Sequence, residues 1–366
     1  MGYVAVKGGT IAIEESINRL KYERLRGRTV LEVQDIACGM RGLIDLVMAE
    51  SSMYDRNLAA IAIKQTEGSI EEAVFLLRAY RSTLPRKHYT EITDTGNMQV
   101  ERRISAAFKD IPGGQILGAS YDYTHRLIDF DLAWEDRGEI EAWLTEFEQT
   151  AVPGEVTSLK GLAKVSDYLR QQGIIESFPD NDQEPVDITK KNLEFPTARS
   201  ERLQILTRGQ TGAVISLGYA SLRGYGDLHP TVGELRVGTV SLYVPDPLGG
   251  NSDDSFYIGE IKITEVETFV PQGTKDQTGN QQLELKVGCG ICFGQNETKA
   301  IAMSILDLCL EAGDKQHPTQ NEEFVLYHID SVESTGFVSH LKLPHYVTFQ
   351  SKLDSVRKTR EAKEDE

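Results

Sequence analysis

The sequence predicts an α+β protein in which a helix-rich N-terminal domain is followed by a mixed α/β C-terminal domain. Three observations carry that expectation. From Thr10 to about Leu84 apolar residues recur at three and four (Ile13, Ile17 and Leu20, then Val33, Ile36, Ala37, Met40, Leu43, Ile44 and Val47), which is the helical period. Later, Leu283, Leu285, Val287, Cys289 and Ile291 alternate with Glu284 and Lys286, as in a strand with one buried face. Between them, from Trp134 to Pro196, the chain turns acidic and irregular, with Asp180-Asn181-Asp182-Gln183-Glu184-Pro185 reading as a surface loop. The expected organisation is a helical domain over 1–150, a variable connection over 151–197, a mixed domain over 198–350 and a charged, frayed tail over 351–366.

Within the helical part, Ser69 followed by Glu72 forms a capping box ahead of Ala73-Val74-Phe75-Leu76-Leu77, so a helix starts there. Arg78 and Arg81 fall near its C-terminus, where cations suit the helix dipole. A second clear helix runs from about Asn296 to Ala312 and is closed by Gly313.

A chain of 366 residues exceeds what one compact core usually holds, and 40% hydrophobic with 26% charged residues is ordinary for a globular protein. The net charge of -17 repels nucleic acid, anionic lipid and free nucleotide, so an anionic substrate needs a local basic pocket. The N-terminus lacks a basic region followed by a long apolar run, and no stretch of 18 apolar residues occurs, which argues against secretion and membrane spanning. Four scattered cysteines (Cys38, Cys289, Cys292, Cys309) suit a reducing cytoplasm.

Gly288-Cys289-Gly290-Ile291-Cys292-Phe293-Gly294 stands between a strand and a helix, where a glycine-rich turn cradles a pyrophosphate. Phe293 occupies the third glycine position, so a tight strand-to-helix turn is the plainer reading. Cys289 and Cys292 form a lone C-x-x-C without the second pair or histidine that completes a zinc site. No cysteine triplet for an iron-sulfur cluster and no phosphate-binding loop of the G-x-x-x-x-G-K type occur, which removes cluster-based radical chemistry and ordinary ATPases.

Arg102, Arg103 and Lys109 precede Pro112-Gly113-Gly114; guanidinium forks and exposed N–H groups suit a polyphosphate, although charge pairs with Glu101 and Asp110 explain them too. In Tyr121-Asp122-Tyr123-Thr124-His125-Arg126, Asp122 could orient His125 or serve as an acid, and buried hydrogen-bonded tyrosines would look the same. Arg223-Gly224-Tyr225-Gly226-Asp227-Leu228-His229-Pro230 reads as a turn in which Arg223 and His229 could line a pocket. His340 and His345 flank Pro344; a turn there brings both rings together, yet two imidazoles leave a zinc site open or completed by another chain. Two surface histidines are the alternative.

Taken together, Lys64-Gln65, Phe75 to Arg81, Glu101 to Ser105, Lys109 to Gln115, Tyr121 to Leu127, Arg223 to Gly226, Glu322 to Leu326 and Gly336 to Tyr346 resemble the PhnI family, subunit I of the carbon-phosphorus lyase core complex. The likeness runs through both expected domains and departs over Trp134 to Pro196 and Val270 to Gln282; the C-x-x-C is not one of its features. It implies a cytoplasmic subunit that works with subunits G, H and L to displace adenine from ATP by an alkylphosphonate, giving alpha-D-ribose 1-methylphosphonate 5-triphosphate. Alone, such a subunit would hydrolyse ATP or GTP at the glycosidic bond, with magnesium accompanying the nucleotide. Carbon-phosphorus cleavage falls to the radical subunit J. On that resemblance Asp122 or His125 serves the leaving base; Arg102, Arg103, Lys109 and Arg223 bind substrate; and His340 and His345 match a zinc-binding pair lying against subunit J. A scaffold that binds nucleotide without catalysis is the alternative.

Overall fold

The computed structural model describes residues 9–107, 109–111, 113–150, 161–175, 177, 183–225, 229–246, 255–275, 281–312, 316–342 and 346–364. In chain order these form α1 (Gly9–Leu25), α2 (Val33–Gly39), α3 (Arg41–Ser51), α4 (Arg56–Gln65), α5 (Ile70–Ser82), β1 (Gln99–Ser105), α6 (Arg137–Thr150), α7 (Val165–Gln171) and α8 (Arg199–Arg208). There follow α9 (Thr211–Ala220), β2 (Thr231–Val244), β3 (Phe256–Lys275), β4 (Gln281–Phe293), α10 (Glu297–Glu311), α11 (Glu322–His328), α12 (Ser331–Ser339) and α13 (Tyr346–Glu364). The α+β expectation holds.

The chain divides into two compact units, Met1–Thr83 with Tyr327–Glu366, and Leu84–Leu326. These units are cut differently from the expected division at 151–197. The reason is that β1, which precedes that division, is hydrogen-bonded to β2, which follows it.

In the first unit the helical period places Ile36, Ile44, Val47, Met48, Ile63, Val74 and Leu77 in one core, with Val332 of α12 packed against it. Local signals start the helices: the Asp55 carboxylate accepts from Leu58 N at 2.8 Å, and Asp330 accepts from Val332 N at 2.9 Å. Ser69 starts α5 as expected, though its side chain caps nothing. Arg78 is a structural clamp: it donates to both oxygens of Asp330 at 2.9 and 2.8 Å and to the Glu50 carbonyl at 3.1 and 2.9 Å, tying α5 to the start of α12. In α1 the periodic residues are helical but not buried; Ile11, Ile13, Ile17 and Leu20 are 57 to 69% exposed.

The expected frayed tail is instead α13, an exposed helix to Glu364. Lys, Arg, Glu and Ala favour helix without burial, so low hydrophobicity does not mean low order here.

The second unit is built on one antiparallel sheet in the order β1-β2-β3-β4. Helix α10 lies on β4 at very short range. A Cβ at Gly288 would stand 2.1 Å from the Ser304 carbonyl oxygen, and one at Gly290 would stand 1.9 Å from that of Ala300. Gly288 and Gly290 therefore serve helix-on-strand contact inside β4, which corrects the expectation of a glycine-rich turn; the turn itself comes later, at Gly294 with φ of 70°. The opposite face is covered by α7, whose Val165 packs with Ile111, Ile175 and Phe269.

β4 is an edge strand, and flanking segments occupy one outward backbone group on each of four alternate residues. Leu285 N donates to the Ile174 carbonyl at 3.1 Å, and Val287 O accepts from Arg199 at 2.9 Å. Cys289 N donates to Asp307 at 2.9 Å, and Ile291 O accepts from Thr207 at 2.8 Å. Three side chains and one backbone carbonyl thus cover part of an edge that would otherwise invite another strand.

Candidate functional site

Neighbouring residues on a strand point to opposite faces, so the adjacent arginines of β1 part company. Arg103 goes inward. It is 0% exposed, its Nε donates to Glu234 at 2.6 Å, and its Nη2 donates to the Ala163 carbonyl at 3.3 Å.

Around it the sheet carries an ionic layer that sequence reasoning missed. The register sets Arg103 opposite Arg236, Arg236 opposite Glu265, and Glu234 opposite Glu267. Lys164 reaches Glu265 and Glu267 at 2.9 Å each, and Arg236 meets Glu265 at 2.5 Å. Three cations balance three carboxylates, which is how a largely buried charged layer is tolerated. Burial alone would raise the Glu265 carboxyl, but Lys164 and Arg236 hold it at about 2. Burial would lower the Lys164 ammonium, and Glu267 and Glu265 overcome that and raise it. The signal was the polar alternation of Glu234 and Arg236, and of Glu265 and Glu267, but nothing local says these positions are buried.

Arg102 goes to the other face, toward the start of α10. Although only 3% exposed, it bonds the Leu117 carbonyl at 2.5 Å, pairs with Glu297 at 2.9 Å, and pairs with Asp122. The loop after β1 is folded back to make this possible: Ile116 and Arg103 exchange backbone hydrogen bonds at 2.8 and 2.9 Å, and the Gln115 side chain bonds both the N–H and the carbonyl of Ser105. Gly118, at φ of 59°, lets the loop pass where a Cβ would stand 2.7 Å from the Glu101 carbonyl oxygen.

Asp122 emerges at the end of this loop, fixed by Arg102 on one side and half exposed on the other, with Arg126 3.7 Å away. His125 is exposed beside it in sequence, and Tyr121 and Tyr123 are exposed rather than buried and hydrogen-bonded. The result is an anchored carboxylate, an imidazole and a guanidinium on one short surface segment. An anchored carboxylate can face a developing cation, and an imidazole can give up a proton.

The remaining expected residues are dispersed. Lys109 is exposed in the turn that precedes the loop. Arg223 is exposed on the turn ending α9, with its guanidinium 5.8 Å from the Tyr219 ring centre. His229 is exposed, while 226–228 lie outside the described residues. His340 ends α12, half-buried, with Nδ1 donating to the Phe337 carbonyl and the ring edge-on to Phe337 at 5.1 Å. That bond leaves Nε2 as the nitrogen a metal would take, the arrangement usual for a ligating histidine. His345 lies outside the described residues. Among the described residues no group of three or more His, Cys, Asp or Glu could hold a metal ion. Cys289 and Cys292, three apart on β4, face opposite sides of the strand and cannot converge on one metal ion.

The model of the family described as bacterial phosphonate metabolism protein (PhnI) matches residues 2–363. The chain belongs to the PhnI family. Similar proteins include the alpha-D-ribose 1-methylphosphonate 5-triphosphate synthase subunit PhnI of Rhizobium meliloti (strain 1021), 44% identical over 98% of this chain and 95% of that protein. The subunit of the same name in Escherichia coli (strain K12) is 43% identical over 97% and 98%. The putative C-P lyase subunit protein HtxH of Stutzerimonas stutzeri is 42% identical over 99% and 96%. Membership in the PhnI family makes this chain a phosphonate-metabolism protein. No described helix is long and apolar enough to cross a membrane.

Proposed function

We propose that this chain carries the nucleotide-handling site of an alpha-D-ribose 1-methylphosphonate 5-triphosphate synthase, displacing adenine from ATP by an alkylphosphonate. The observation that carries the reading is likeness across nearly the whole chain to two proteins named as that synthase subunit, at 44 and 43% identity. In this reaction the bond from the anomeric carbon to the purine nitrogen breaks, a carbon-oxygen bond to the phosphonate forms, and a proton passes to adenine. Water replaces the phosphonate when the subunit acts alone on ATP or GTP.

The segment from Asp122 to Arg126 suits the demands of such a step. Asp122, held as the partner of Arg102, is assigned to the cationic sugar that develops as the base departs. His125 is assigned to protonation of the leaving purine. Lys109, Arg126 and Arg223, all exposed, are the candidates for the triphosphate and its magnesium. Arg103 is left out of that set, because a fully buried guanidinium already paired with Glu234 has no edge to offer. His340 and His345 are assigned to a zinc ion completed by subunit J, where a metal would act as a Lewis acid; subunits G, H and L complete the assembly in the cytoplasm.

A scaffold reading is favoured by one observation. Tyr121, Tyr123, Leu127, Phe130 and Trp134 around the site are all more than 60% exposed, as expected of a surface meant for another chain. The discriminating experiment is incubation of the purified chain with ATP or GTP and chromatography for free base. Adenine or guanine should appear with ribose 5-triphosphate, and His125→Gln should slow release about a hundredfold. Release of phosphate alone would overturn the assignment. Activity in the assembled complex that survives both Asp122→Asn and His125→Gln would leave this chain as the scaffold.

A further inference from the structure

A cavity of about 400 Å3 opens at the outer edge of β4 in the second unit, away from the segment just described. That volume falls in the range of roughly 300 to 1,000 Å3 occupied by small-molecule sites. Its wall is apolar, with Ile175, Val270, Leu285 and Leu308, and its cations are Arg170, Arg199 and Lys286. Arg170 is paired with Asp167 at 2.9 Å, so in a chain of net charge -17 the case for an anion here rests on Arg199.

Arg199 decides the chemistry. Asp307, 0% exposed on α10, accepts from its Nε at 3.2 Å and from its Nη2 at 2.6 Å. Nη2 also donates to the Val287 carbonyl. These bonds close the edge of β4 and account for two of the three guanidinium nitrogens. Nη1 makes no hydrogen bond among the described residues, and the side chain is 39% exposed. The guanidinium is therefore held in one orientation by a buried carboxylate, with a donor edge to spare on the cavity wall, the preorganisation that charge-assisted recognition of an oxyanion exploits.

Glu311 on the rim is paired with Arg202. Burial, reinforced by Glu267, pushes the Cys289 thiol up to about 12, so this wall residue is a neutral thiol at pH 7 and adds no negative charge.

We propose that this cavity binds a small organic oxyanion, an apolar group no larger than a single ring bearing one phosphonate or carboxylate head. The head sits at Arg199 with Arg170 and Lys286 nearby, and the apolar group lies against Ile175, Val270, Leu285 and Leu308. The residues differ from those of the nucleotide reading, and although a phosphonate head would touch the alkylphosphonate of that reading, direct binding is measured without base release, so the two fail separately.

The test is calorimetric titration of the full chain with phenylphosphonate, benzoate and inorganic phosphate. One of the two aromatic acids should saturate a single site, and whichever binds tighter names the head group. Inorganic phosphate, with no apolar group, should bind at least about tenfold more weakly. Arg199→Gln should weaken the preferred acid about tenfold or more. Because that change also removes an edge contact, Gln272→Glu is the companion variant: it is exposed on the cavity rim, leaves Arg199 and Asp307 intact, and places a carboxylate at the mouth. It should weaken binding severalfold, by an amount that shrinks as salt is raised. Absence of saturable binding by either aromatic acid, or an affinity indifferent to both substitutions in folded protein, overturns the proposal, as does phosphate binding as tightly as the aromatic acids.

Discussion

Replacing Arg103 by Met should damage the sheet rather than nucleotide binding. The guanidinium is 0% exposed and its partner Glu234 is 2% exposed, so the substitution leaves a buried carboxylate without its counter-ion. Breaking a buried pair from one side costs about 3–5 kcal/mol, against a total stability of roughly 5–15 kcal/mol for a folded domain. Much of that penalty comes from the stranded charge. Adding Glu234→Gln to Arg103→Met should therefore recover at least about 1 kcal/mol, because Gln is neutral and still accepts from Val165 N, which Glu234 holds at 2.9 Å. Hydrogen exchange of the β1 and β2 amides reads the loss where it occurs. Amide protection within about 1 kcal/mol of the parent, combined with a tenfold loss of ATP affinity, would refute this reasoning and return Arg103 to the substrate site.

Gly288→Ala should cost about 3 kcal/mol or more, since its Cβ would meet the Ser304 carbonyl oxygen at 2.1 Å and α10 would have to lift; a thermal melt close to that of the parent protein counts against it. The Glu265 carboxyl is held at about 2, below its unfolded value near 4.3, so the stability it contributes is present above that value and lost as pH falls toward 2. Stability between pH 5 and 2 should therefore fall more steeply for the parent than for Glu265→Gln, and parallel curves would remove the ionic layer from the account. Metal analysis of the assembled complex should show zinc lost from a His340→Ala, His345→Ala double variant that still assembles; unchanged metal content would rule out the pair as ligands.

Much of the local structure was legible because it is set locally. The three-and-four period predicted the helices of the first unit, the alternation from Leu283 to Ile291 predicted β4, and the helix expected from Asn296 is α10. The anchored position of Asp122 was half legible. Its residue types invited attention, but the guanidinium that fixes it lies 20 residues upstream and belongs to a pair whose other member turns away. The strand-to-helix turn was misplaced because glycine reports a need for space without saying whether the backbone turns or another element presses close, and at Gly288 and Gly290 it is the latter.

By itself, then, the sequence determined the family, the α+β class and most of the helices, since these rest on motifs and periods readable within a few residues. Tertiary structure decided which of the marked residues are structural. Arg78 closes on Asp330, 252 residues away, and Arg103 closes on Glu234, 131 residues away. Arg199 on the cavity wall is held by Asp307 from 108 residues away. A charge's role depends on where its partner and the solvent lie, and both are fixed by contacts between segments remote in sequence, so no local pattern could reveal them.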